Sequence, residues 1–134
     1  MIRKLFVLLI LEILVGVNAG VTFRLVESRY TAALWTGSIF LLLGLGILYW
    51  AYNNLKYKRA PLFWVALVHT FVFSIPILFT RALSFSDEPL VAVMGIDAAA
   101  MHRAASTCFG LLVAATIFEL IRQIWLMKAK KPRN

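Results

Sequence analysis

Charge is what this chain has least of, and acidic charge above all: six Asp and Glu stand against fourteen Lys and Arg, and charged residues make up only 15% of the sequence. Soluble domains average about 25% charged and about 45–50% apolar residues. An apolar content of 62% therefore excludes an ordinary water-soluble domain. Cysteine is nearly absent. The single Cys108 rules out an intrachain disulfide and leaves the redox compartment open. It lies inside an apolar run, where a small buried hydrophobe is expected. There is no Cys-x-x-Cys, no phosphate-cradling Gly-rich loop and no nucleophile–base pair, so the chain is not expected to be an enzyme. With two histidines and no His-x-x-x-His spacing, neither a metal nor another cofactor is expected.

What the chain has instead is four long apolar runs, residues 5–23, 30–55, 61–80 and roughly 98–127. Each is long enough to cross a hydrocarbon core of ~30 Å as a helix of ~20 residues. Ten of the fourteen basic residues flank these runs at alternate ends: Arg3 and Lys4, then Lys56, Lys58 and Arg59, then Arg122, Lys128, Lys130, Lys131 and Arg133. The other ends carry Arg24, Arg29, Arg81 and Arg103, offset by Glu27, Asp87, Glu88 and Asp97. Short loops rich in Lys and Arg stay in the cytoplasm. The expectation is an all-α integral membrane protein, an antiparallel four-transmembrane-helix bundle with both termini cytoplasmic, in a bacterial inner (plasma) membrane. Tyr30 and Trp35 near one end, with Tyr49, Trp50, Tyr52, Tyr57, Trp64 and Trp125 near the other, fit aromatic belts at the two interfaces. The net charge of +8 is placed for a membrane surface and not for nucleic acid. Each basic group near anionic headgroups adds ~1 kcal/mol, so the lipid bilayer is the first expected partner.

Along the chain the expected helices are 5–25, 30–53, 61–80 and 98–127, with a long outer loop at 82–96 and a basic tail at 128–134, all in one transmembrane domain. Arg3-Lys4, the apolar run and Val17-Asn18-Ala19 have the outline of a secretory signal. Glu12 in the middle of that run argues against cleavage, and the segment is read as the first transmembrane helix. Pro61 suits a first helical turn, and Asp97 before Ala98-Ala99-Ala100 is a good N-cap. Pro76 is expected to kink the third helix.

In lipid, small residues mark where helix backbones approach. Gly16 and Gly20 in the first helix, Gly37 and Gly44 in the second, and Ala104, Cys108 and Ala115 with Leu111 in the fourth are the candidate contact stripes. Gly46 falls on the far side of the second helix. Polar groups inside the runs are few, and an ionisable one costs ~2.5 kcal/mol or more at mid-bilayer. Measured from the basic clusters, Glu12 lies eight residues past Lys4, His69 ten past Arg59 and Glu119 nine before Lys128. At 1.5 Å per residue they share one depth, roughly 12–15 Å from those charges, with Arg122 about a turn closer to the surface. Glu12, His69, Glu119 and Arg122 are therefore expected to form a polar cluster in the cytoplasmic half of the bundle. Asn18 is read as interhelical glue and His102 as an interfacial side chain. A second set, Arg81, Asp87, Glu88, Asp97 and Arg103, is expected to hold the outer loop or to form a docking surface.

Two functions follow. The first is a non-catalytic accessory or assembly subunit that binds other membrane proteins, or a second copy, through its helix faces. The second is a small oligomeric transporter or ion- or proton-conducting protein, with Glu12 as coupling site beside His69 and Glu119. In helix count and in the carboxyl of its first helix, Glu12, the chain resembles small multidrug transporters in outline. That resemblance implies proton-coupled export. The strong charge bias, the long outer loop and the charged fourth helix depart from the family. A lipid or quinone site along the Trp- and Phe-rich third helix is a further reading.

Overall fold

The computed structural model describes residues 1–55 and 60–131. Lys56, Lys58 and Arg59 of the basic loop, and Arg133 of the tail, lie outside the described residues. Helix α1 spans Ile2–Leu25 and α2 spans Arg29–Asn54. The third long helix is composite: α3 (Pro61–Val68), a π-helical stretch (His69–Ser74) and α4 (Ile75–Ser84). After a short hairpin comes α5 (Ala98–Ala129). All four rods are long and apolar enough to cross a membrane. Helix α1 packs on α2 and α5, and the composite helix packs on α2 and α5 in turn, which closes a four-helix bundle.

Two helix starts are fixed by side-chain caps. Ser28 Oγ accepts from the Thr31 N–H at 3.2 Å, and an Asp97 carboxylate oxygen accepts from the Ala100 N–H at 3.0 Å. Each satisfies a backbone donor that has no intrahelical partner. The composite helix runs four residues beyond the expected boundary at Thr80 and stops where Phe85 takes a left-handed conformation (φ 50°).

Pro76 explains the irregular middle of that helix. Its ring cannot sit beneath the carbonyl four residues earlier and it supplies no N–H. The chain widens over residues 69–74, where the Ile75 N–H reaches back five residues to Thr70 O. The extra residue in the turn brings His69, Thr70 and Ser74 all into the interior. A kink at Pro76 was expected; the irregularity falls there and includes a π-helical stretch over His69–Ser74.

Within the expected 82–96 loop there is a two-stranded antiparallel hairpin, β1 (Ala92–Val93) with β2 (Ile96–Asp97). Its turn, Met94-Gly95, has φ 53° and 79°. Positive φ at both central residues matches the twist of the flanking strands.

The apolar core divides in two. Leu5, Ile47, Leu55, Leu62, Leu112 and Leu120 fill the bundle toward the termini. Val93, Ala98 and Met101, packed by Phe73, Ile77 and Leu90, close the hairpin end. Between them the helices leave a chamber.

Candidate functional site

The four residues expected to cluster are placed in separate groups. Glu12 on α1 is 0% exposed, and its Oε1 lies 2.6 Å from the Thr116 hydroxyl on α5. Thr116 Oγ1 is also 3.0 Å from the Leu112 carbonyl of its own helix. Glu12 Oε2 has no hydrogen-bond partner among the described residues. Glu119, three residues on from Thr116, is likewise 0% exposed. Arg122 grips it with both Nε (3.2 Å) and Nη2 (2.6 Å), and Gln123 Nε2 donates to the same carboxylate at 2.9 Å. Arg122 is itself 46% exposed and carries the pair toward the bundle's rim. Glu12 and Glu119 thus meet neighbouring turns of α5 with no hydrogen bond between them.

His69 stands apart from both. Its Nε2 donates to the Phe40 carbonyl at 3.4 Å and lies 3.3 Å from Ser74 Oγ. Its ring is 6.1 Å from those of Phe40 and Phe109. Phe109 is ten residues, or ~15 Å of helix, from Glu119. A single depth does not hold because the helix ends are not level. His69 is eight residues from the start of α3 at Pro61, yet it faces Phe40, fourteen from the end of α2, and Phe109, twenty from the end of α5.

The glycines and small residues divide as well. A Cβ on Gly37 would lie 2.9 Å from Leu78, and one on Gly44 would collide with Thr70 Oγ1 and lie 3.0 Å from His69 Cδ2. Gly16 faces Phe109 at 3.5 Å, whereas Gly20 and Gly46 open on empty space. On α5, Cys108 and Ala115 are buried, but Ala104 and Leu111 face outward. The buried stripe there runs Cys108, Leu112, Ala115, Thr116, Glu119. It lies on the side of the helix that carries Thr116, which the small-residue pattern passed over.

At the hairpin end the expected charge cluster is resolved into individual tethers. Arg81 is only 5% exposed and donates through Nη1 to the carbonyls of Ser86 (3.2 Å) and Glu88 (2.9 Å). Asp87 reaches across to α2, accepting from Ser28 Oγ at 2.7 Å and from the Tyr30 N–H at 3.0 Å. These bonds, with help from the charges of Arg81 and Arg29, hold its carboxyl below the usual carboxylate range. Asp97 is engaged as the α5 cap, and Glu88 and Arg103 face outward. His102 donates from Nδ1 to the Ala98 carbonyl at 2.7 Å. Asn18 Oδ1 is buried and has no partner among the described residues.

The chamber has a volume of about 400 Å³ and lies between α1, α2, the composite helix and α5. Phe40, Phe73 and Phe109 are among its apolar lining, and Thr36, His69, Ser74, His102 and Ser106 are its polar residues. A second hollow of about 530 Å³ shares Phe23, Ala33, Ile77 and His102 with it and is bordered by Arg29, Arg81 and Arg103. Among the described residues no three His, Cys, Asp or Glu side chains gather as a metal site. Comparison with protein families, curated proteins and solved structures gives no match.

Proposed function

We propose that the chain is a non-catalytic integral membrane subunit that assembles with another membrane protein by helix packing. In this reading both termini face the cytoplasm of a bacterial inner membrane, with the basic ends on anionic headgroups. The observation that carries the assembly role is the open side of α1. Among the described residues that helix packs chiefly on α2 and α5, and Ile10, Ile13, Leu14, Val17 and Val21 are exposed along it. Gly20 on the same helix opens on nothing within 4 Å. A glycine facing open space within an apolar stripe lets a second helix approach closely. The charged groups at the terminal end also favour a structural role, since Glu12 and Glu119 are engaged by side chains of α5.

The test places a photo-crosslinking residue at Val17 and compares the native chain with Gly20→Leu in membranes. The reading expects a discrete crosslink to one other membrane protein, lost in Gly20→Leu while thermal unfolding in detergent is unchanged. Crosslinks to lipid alone, or a product insensitive to Gly20→Leu, refute it, and a crosslinked dimer of this chain moves the role to self-assembly.

A second reading, proton-coupled transport through Glu12, is favoured by its unpartnered Oε2. Under it, Glu12→Gln abolishes proton-driven flux in liposomes while the protein stays folded. Under the subunit reading Glu12→Gln is tolerated.

A further inference from the structure

We propose that the hairpin end of the bundle binds a single-chain amphiphilic anion, with its head at Arg81, Arg29 and Arg103 and its chain in the aromatic chamber. The inference is independent of any assembly with other proteins. It begins from Arg81, a residue only 5% exposed, with no carboxylate at ion-pair distance among the described residues. Two loop carbonyls occupy Nη1. Buried charges are ordinarily paired, because neutral acceptors do not offset the loss of water around a full charge. Asp87 feels the charge of Arg81 but hydrogen-bonds to Ser28 and the Tyr30 N–H instead.

The surroundings of Arg81 repeat the same sign. The hollow it borders is also lined by Arg29, Arg103 and His102, and no Asp or Glu lines it. Arg29, Arg81 and Arg103 bring three positive charges to the lining of one hollow, with Asp87 feeling Arg81 and Arg29 from outside that lining. An anion is the complement of such a lining, and a planar fork suits a carboxylate or phosphate. A free inorganic anion would leave the adjoining space unused. That space is the chamber, which adjoins the hollow at the shared residues Phe23, Ala33, Ile77 and His102 and is lined by phenylalanines. Its volume of about 400 Å³ falls at the small end of ligand sites, ~300–1,000 Å³. One acyl chain suits that space better than two. Fatty acids and lysophospholipids share this chemistry, an anionic head on one chain.

The experiment uses the full chain in nanodiscs of phosphatidylcholine, with palmitate, lysophosphatidylglycerol, hexadecanol and inorganic phosphate as probes. Saturable binding of the labelled probe and the shift in thermal unfolding are both read. Palmitate, lysophosphatidylglycerol or both are expected to bind saturably, and the stronger of the two identifies the head. Hexadecanol should bind at least about tenfold more weakly, as should the anion in the double variant Arg29→Gln/Arg103→Gln. Both side chains are exposed, so the double variant should keep its unfolding temperature without ligand. Ala33→Trp, which fills the junction of the two hollows, should remove binding of every chain-bearing probe. Equal binding of hexadecanol, an unchanged double variant, or phosphate alone matching the lipid anions would each overturn the proposal.

Discussion

Thr116 has one hydroxyl proton and two oxygen neighbours, the Leu112 carbonyl at 3.0 Å and Glu12 Oε1 at 2.6 Å. A carbonyl only accepts, so if the Thr116 proton goes to Leu112, the short contact to Glu12 needs a proton from the acid itself. Both short contacts of Thr116 are satisfied by a neutral carboxyl donating to Thr116, which then donates to its own helix, while Glu12 Oε2 keeps no partner among the described residues. This arrangement predicts that Glu12→Gln, whose amide N–H can donate in the same place, unfolds within about 1 kcal/mol of the native chain. Thr116→Val strands a buried acid and should cost about 1–3 kcal/mol. Reversible unfolding in mixed micelles measures both, and a Glu12→Gln protein as damaged as Thr116→Val would refute the neutral-acid arrangement. Asp87 works with the opposite sign. Its folded carboxyl is held below the ordinary value of about 4, so its tether of the loop to α2 is fully present above that pH. The tether is lost as pH falls through the lower folded value. Hydrogen exchange over residues 85–91 should therefore rise in strong acid, and Asp87→Ala should show the faster exchange already at neutral pH. Acidic residues were singled out in the sequence by their rarity. Arg122, the partner of Glu119, was singled out with it, but the partners of Glu12 and Asp87 were not, because Thr116 and Ser28 are common residue types whose role depends on which helix faces them.

At the scale of elements, the composite third helix shows what local pattern reveals and what it hides. The Pro76 irregularity is visible in the sequence, but its form is not. A π-turn gains nothing locally over a kink and is settled by what it delivers, here Thr70 and His69 against α2 at Gly44. The seven-residue spacing of Gly37 and Gly44 is a property of α2 alone and could be read directly. The corresponding stripe on α5 could not, because Ala104 and Leu111 have the size and polarity of contact residues and only the neighbours decide which side is covered. Two substitutions on α2 separate these effects. Gly44→Ala puts a methyl group onto Thr70 and His69 and should destabilise the fold by about 1–3 kcal/mol, as overpacking does. Gly46→Ala meets open space and should be neutral or stabilising by up to about 1 kcal/mol, from helix propensity. Equal effects in thermal unfolding would mean that the α2 contact is not the close one described.

For the whole molecule, the two ends of the bundle differ in how charge is held. At the hairpin end four arginines, Arg24, Arg29, Arg81 and Arg103, are matched in number by Glu27, Asp87, Glu88 and Asp97, and several of these are fixed by caps and carbonyls. At the terminal end Arg3, Lys4, Lys128, Lys130 and Lys131 have no acid among them. An antiparallel bundle of four rods puts both termini on the same side, so orientation rests on this imbalance alone. Carrying an uncompensated lysine cluster across a bilayer is the costly choice, and the proposed topology keeps it in the cytoplasm. Single cysteines in a Cys108→Ser background test it, since Cys108 is buried in the bundle. A cysteine at Met94, on the exposed hairpin turn, should react with a membrane-impermeant maleimide in intact cells. One at Lys130 should react only after permeabilisation. The reverse pattern would invert the topology and place the proposed anion site on the cytoplasmic face. Labelling of both in intact cells would mean that the charge difference is too weak to set a single orientation.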